Sequence, residues 1–184
     1  VTLEPCSHHG KTPPCANAII NAGIARVVSA LEDPDTRVSG RGHQMLRNAG
    51  IELVTGICAD EAHELNLGFI LHRTLNRPMV TLKLAETADG FAGIANQRLM
   101  ITGEETQAHV HFMRAQHDAI MVGIGTVVAD NPSLTCRLAG LEDRSPQRVI
   151  VDSHLRIPLD CVLVKTARDV PTLIITCDTD NAGK

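Results

Sequence analysis

Tryptophan and tyrosine are absent from this 184-residue sequence, and phenylalanine occurs only three times. Leu, Ile, Val, Ala and Met must therefore fill any core, and the aromatic platforms on which single-stranded nucleic acids stack are missing. There is also no field of one charge. The net charge is −4 with the basic residues scattered, which argues against a groove built to neutralise phosphates along a duplex. No apolar run approaches the roughly 18–20 residues that cross a bilayer, and no secretory signal opens the chain. Six cysteines at irregular spacing do not make a secreted disulfide framework, so a reducing, cytoplasmic setting is expected. The first residue is Val and the chain enters in mid-motif, which reads as a fragment. What the chain has is aliphatic bulk: 43% hydrophobic against 21% charged residues suits a globular protein with a buried core.

Strand and helix signals alternate through the first half. "CANAIINAG" is helical and closes on Gly23, a good C-terminal stop. "IARVVSAL" is a β-branched strand, "EDPDTRVSGRG" a loop of turn residues, "HQMLRNAG" a short helix and "IELVTGI" a second strand. A helix over 59–76 then runs to Arg77-Pro78, where proline opposes continuation. The pattern restarts with a long strand, "MVTLKLAETADG". Thr102 and Glu105 suggest a capping box before the helix "EETQAHVHFMRAQH". The strands "AIMVGIG", "RVIVDS" and "TLIITC" follow, with the loop "ADNPSLTCR" after the first of them. This alternation predicts an α/β fold with largely parallel sheets, divided near residues 76–78.

The most informative stretch is "TLEPCSHHGKTPPC". Cys6 sits where a strand end meets a helix start, and Cys15 begins that helix, so both sulfurs could converge on one metal ion. The same two cysteines would also serve as a disulfide or as core thiols, and alone they decide nothing. Zinc nucleobase deaminases carry H-x-E followed by P-C-x-x-C. Here the segment between the cysteines is longer, and no histidine is followed two residues later by glutamate anywhere in the chain. Cys58, Cys136, Cys161 and Cys177 lack ligand spacing and read as buried thiols. His63-Glu64 lacks the second histidine of a metalloprotease helix, and His109, His111 and His117 read as polar-face residues. "VGIGTVV" offers a G-x-G after a strand, but Val128 stands where the third glycine of a dinucleotide fingerprint belongs.

Together with "ARVVSALEDPDTRVSGRG" and "LRNAGIELVTGI", the cysteine segment resembles the deaminase domain of the bifunctional riboflavin-biosynthesis deaminase/reductase family. "RPMVTLKLAETADG", "MITGEE", "MRAQHDAIMVGIGTVVADNPSLTCR" and "RVIVDS" resemble the reductase domain of the same family, in family order. The resemblance implies part of a cytidine-deaminase-like domain over residues 1–77, followed by part of a dihydrofolate-reductase-like domain over 78–184. It implies Zn2+ held by Cys6 and Cys15, with the third ligand and the catalytic glutamate upstream of residue 1. A chain with two of three ligands is expected to show weak or no deaminase activity. His8 or His9 would complete the coordination shell, or both would line the substrate pocket with Lys11 and Thr12 or be plain loop residues.

For the second half the resemblance implies NADPH as hydride donor. It places Ala85, Met100, Thr126, Asp130 and Ser153 near the cofactor, although Met100 stands where the family has an aromatic residue. Arg114, Leu134 and Arg137 fall at substrate positions, and two guanidiniums suit a ribose phosphate because each binds phosphate in bidentate fashion. Lys83 is the candidate beside the reacting ribose carbon. Arg98 replaces a serine of the family loop. The implied partner is a small pyrimidine ribose-phosphate rather than nucleic acid or membrane, and the family tends toward homo-oligomers. The competing readings are a nucleic-acid base deaminase and a catalytically silent, degenerate or zinc-stabilised protein.

Overall fold

The computed structural model describes residues 1–94 and 99–177 and divides into two compact units, Val1–Leu82 and Lys83–Lys184. The division lies a few residues beyond the 77/78 boundary read from the sequence. Both units are α/β with parallel sheets. Among the described residues, no helix is long and apolar enough to cross a membrane.

In the first unit, strands β1 (Arg26–Ser29) and β2 (Glu52–Thr55) pair in parallel with Val27 opposite Leu53. Residues 1–3 run beside β1. The Val1 amine donates to the Val28 carbonyl at 2.8 Å, the Ala30 N–H donates to the Val1 carbonyl at 3.0 Å, and Leu3 bridges Leu31. Helices α1 (Cys15–Asn21) and α2 (Arg41–Asn48) bury Ala16 and Leu46 against Val27 and Ile51. Gly23 follows α1 at φ +67°, the left-handed turn that only glycine adopts without strain.

The single helix expected over 59–76 is instead two, α3 (Ala59–Leu65) and α4 (Leu67–Leu75). Asn66 separates them, and its Nδ2 donates to the Ala62 carbonyl at 2.7 Å. A short polar side chain that bonds the preceding turn competes with helix propagation.

The second unit holds helix α5 (Glu104–Gln116), then β3 (Ala119–Gly123), α6 (Ile124–Asp130), a 3-10 turn at Glu142–Arg144, β4 (Gln147–Val151), α7 (Val162–Lys165) and β5 (Thr172–Ile175). The sheet order is β3-β4-β5, all parallel, with Ile120 opposite Arg148 and Val149 opposite Leu173. Ile124, Val127, Leu134, Ile150, Cys161 and Leu163 form its core.

Four further features differ from expectation. The strand over 79–90 does not form, and Val80, Leu82 and Leu84 are 83%, 88% and 64% exposed. A β-branched, alternating run becomes a strand only where a neighbour completes its ladder, and the described residues provide none. The N-cap of α5 is Gly103, with no side-chain cap bond, so the Thr102/Glu105 box is not made; Glu104 and Glu105 still favour that helix end through its dipole. Helix α6 is unforeseen because Ile124, Thr126, Val127 and Val128 are poor helix formers. Burial of Ile124 and Val127 on one face outweighs that preference. Cys136 and Cys161 are buried, but Cys58 and Cys177 are exposed.

Candidate functional site

The first cluster lies where the Cys6 loop meets α1. Pro14 is the N-cap, at φ −56° and ψ 133°, and the next two N–H groups point at Cys6. The Cys15 N–H donates to Cys6 Sγ at 3.2 Å and the Ala16 N–H to the Cys6 carbonyl at 3.1 Å. Both thiols are free, Cys6 half-buried and Cys15 exposed. The hydrogen bond between the two thiols, then burial, raises the Cys15 proton affinity. Two free thiols at one helix start have the donor chemistry that zinc favours. The set is nevertheless incomplete: among the described residues no group of three His, Cys, Asp or Glu could hold a metal ion. His8 is half-buried with its Nδ1 unpartnered and does not complete the set, while His9, Lys11 and Thr12 are exposed.

What holds this loop is not legible in the sequence. Glu4, only 4% exposed, accepts the backbone N–H of Gly40 at 2.8 Å, His43 at 3.0 Å and Asp33 at 3.2 Å. His43 in turn bonds Ser29 Oγ through Nε2 at 3.0 Å. Burial opposes the Glu4 charge, but the His43, Gly40 and Asp33 N–H groups and the His43 ring outweigh it and hold the carboxyl below its usual range. Glu4→Gln is therefore expected to cost about 2 kcal/mol at pH 7, because an amide NH2 would face backbone donors. A carboxyl whose folded pKa is depressed stabilises above its unfolded value, about 4.3, and loses that contribution as pH falls through the folded value. Urea melts should thus show the gap between wild type and variant closing below about pH 4. A gap independent of pH would refute the charged network.

The second site is a cleft of about 160 Å³ in the second unit, lined by Lys83, Thr102, Gln107, Val110, His111, Arg114 and Arg137. Among the described residues, three cations meet there and no acidic residue lines the wall. Arg114, near the end of α5, donates from Nη1 to the Thr135 carbonyl at 3.0 Å, while its buried Nε–H has no partner among the described residues. Burial, then the Arg137 charge, press the Arg114 guanidinium below its ordinary range. Arg137 donates from Nη1 to Ser133 Oγ at 2.7 Å and from its backbone N–H to His111 Nδ1 at 3.1 Å. A partly desolvated Arg114 guanidinium beside the exposed Arg137, with no acid against either among the described residues, makes an anion site.

The structure thus brings Lys83, Arg114 and Arg137 together. Leu134 belongs to the loop between Arg114 and Arg137, but its side chain is buried in the core and its backbone sits at φ +55°. A left-handed leucine carries strain of about 1 kcal/mol or more, stored in the loop that presents Arg137. Thr126 and Asp130 share an exposed face of α6 one turn apart. Ser153 is exposed just beyond β4. Because β3 and β4 are parallel neighbours with Gly123 opposite Val151, Thr126 and Ser153 both follow carboxyl ends of strands, the edge where open α/β sheets bind ligands. Ala85 is half-buried and Met100 exposed, both outside the cleft lining. Arg98 lies outside the described residues.

His111, expected on a polar face, lines the cleft instead. His109 is exposed, and His117 is partly buried with its Nδ1 2.7 Å from the Met113 carbonyl. The spacing Gln107, His111, Arg114 puts three polar side chains on one stripe of α5. That stripe is the signal in the sequence that could have found the histidine.

A family model described as the RibD C-terminal domain matches residues 78–184. The riboflavin biosynthesis protein RibD of Aquifex aeolicus is 45% identical over 177 residues, which is 96% of this chain and 49% of that protein. That of Actinobacillus pleuropneumoniae is 46% identical over 181 residues, 98% and 48%. A solved diaminohydroxyphosphoribosylaminopyrimidine deaminase/5-amino-6-(5-phosphoribosylamino)uracil reductase from Thermotoga maritima superposes with a TM-score of 0.82 at 38% identity, covering 97% of this chain and 50% of that one. The chain spans about half the length of the curated relatives it matches.

Proposed function

The chain belongs to the RibD family, and from that premise we propose that residues 78–184 are part of an NADPH-dependent reductase acting in riboflavin biosynthesis. Its substrate is a pyrimidine carrying a ribosyl phosphate, which it reduces to the ribityl form. The cleft binds the phosphate through Arg114 and Arg137, and Lys83 lies beside the ribose carbon that receives hydride. Thr126, Asp130 and Ser153, with Ala85 and Met100, line the cofactor side. NADPH supplies the hydride when bound, and the protein's task is to hold donor and acceptor carbons together and keep water out. Residues 1–77 are part of a zinc-dependent deaminase domain in which Cys6 and Cys15 are two of the metal's ligands. Zinc held by Cys6, Cys15 and a further ligand would supply Lewis-acid activation of water at neutral pH. The two thiols alone do not complete its ligand set.

The single observation carrying this reading is the meeting of Lys83, Arg114 and Arg137 in a cleft with no acid among its described lining residues. Calorimetric titration of the full chain with ribose 5-phosphate tests it. Arg114→Ala and Arg137→Ala are each expected to weaken binding about 30-fold, the loss of one charge-assisted contact, and wild-type binding should weaken as salt rises. Plain ribose should bind far more weakly. Equal affinity of wild type and both variants would remove the phosphate reading.

A further inference from the structure

The geometry points to His111 as a positioning residue of the anion cleft: its neutral ring, protonated on Nε2, anchors the Arg137 backbone and so holds the Arg137 guanidinium at the cleft for a phosphate. This rests on the phosphate reading above and extends it to a residue that reading does not use.

A backbone N–H can only donate, so the 3.1 Å contact from the Arg137 N–H to His111 Nδ1 requires a lone pair on Nδ1. In a neutral ring the hydrogen then sits on Nε2. A proton on Nδ1 would break that bond, and a ring protonated on both nitrogens would add a fourth positive charge to Lys83, Arg114 and Arg137. Burial, then the charges of Arg114 and Arg137, hold the ring below its ordinary range, against the Thr135 carbonyl, which acts the other way. Among the described residues, the charged groups lining the cleft are Lys83, Arg114 and Arg137, and all are cations.

His111 also secures the loop a second time, through its main chain. Its carbonyl lies 3.3 Å from Cys136 Sγ, the buried thiol donating. Adjacent residues Cys136 and Arg137 are thus both tied to one residue of α5, just beyond Leu134, whose left-handed backbone would otherwise relax. The contact to Arg137 depends on the side chain and is lost on truncation, whereas the contact to Cys136 survives it. A substitution at 111 therefore tests the ring's role and leaves the main-chain tie intact.

The experiment uses the full chain and ribose 5-phosphate as titrant at neutral pH. His111→Ala is expected to weaken binding about tenfold, the equivalent of one neutral hydrogen bond. His111→Gln, whose amide oxygen can accept the Arg137 N–H, should recover affinity to within about threefold of wild type. Nitrogen-15 spectra of histidine-labelled protein should show His111 Nδ1 unprotonated. If His111→Ala binds as tightly as wild type while Arg114→Ala and Arg137→Ala lose binding, the cleft reading stands and this inference falls. It falls equally if Gln does no better than Ala, or if Nδ1 carries the proton. Unchanged binding in all three alanine variants overturns both.

Discussion

Arg148→Ala is expected to cost about 4 kcal/mol, a large share of the roughly 5–15 kcal/mol that stabilises an ordinary domain. The Arg148 side chain is fully buried in β4 with no carboxylate partner among the described residues. Backbone oxygens hold it instead. Nη2 donates to the carbonyls of Val170 at 2.6 Å, Thr166 at 3.0 Å and Leu163 at 3.2 Å, and Nη1 donates to Thr166 Oγ1 at 2.8 Å and the Ser133 carbonyl at 3.3 Å. Burial presses this guanidinium below its usual range, yet its fork still satisfies the Leu163 carbonyl near the end of α7 and the Val170 carbonyl beyond it. It adds to the Thr166 carbonyl, which also accepts the Val170 N–H at 3.1 Å. Removing it leaves a cavity and stranded acceptors together. Arg148→Lys keeps the charge but lacks the planar fork, and should still cost about 2 kcal/mol. Urea unfolding followed by circular dichroism measures both, and a loss under about 1 kcal/mol for alanine would show that the carbonyls find other donors.

The second large effect runs against helix propensity. Gly42→Ala in an ordinary helix stabilises by about 0.8–1 kcal/mol. Here the added Cβ would stand 1.9 Å from the Pro5 carbonyl oxygen and 3.1 Å from Glu4 Oε1. A backbone oxygen cannot swing aside, so α2 must move away from residues 4–6. That movement stretches the Gly40 and His43 bonds to Glu4 and shifts the loop carrying Cys6. The expected loss is about 3 kcal/mol. Gly68→Ala in α4 is the control, since its Cβ would meet only Met79 Cβ at an ordinary 3.7 Å; that change should stabilise slightly. If Gly42→Ala melts at or above wild type, the close approach of α2 to Pro5 is wrong.

Local elements are largely readable in the sequence. The β-branched runs at 26–29, 147–151 and 172–175 are strands, and the helices closed by Gly23 and Gly50 end where expected. Such signals are nearest-neighbour physics: side-chain shape, turn freedom and apolar period. Local reading fails where a distant partner decides. The alternating run at 79–86 finds no ladder among the described residues, and 124–130 is helical because the core takes Ile124 and Val127. Of the candidate site, the cysteine pair and the two substrate-side arginines are visible through motif resemblance, and their surroundings are not.

By itself the sequence determined an α/β chain, the spacing of two thiols, and a motif order that places it in its family, because each depends on residues close together along the chain. Tertiary structure alone decided that Lys83, His111, Arg114 and Arg137 share one cleft, that Arg148 lies wholly inside, and that Glu4 ties three backbone donors. Whether a charge is solvated by water or by the protein's own carbonyls and amides depends on segments dozens of residues away, and that is settled only when the chain closes on itself.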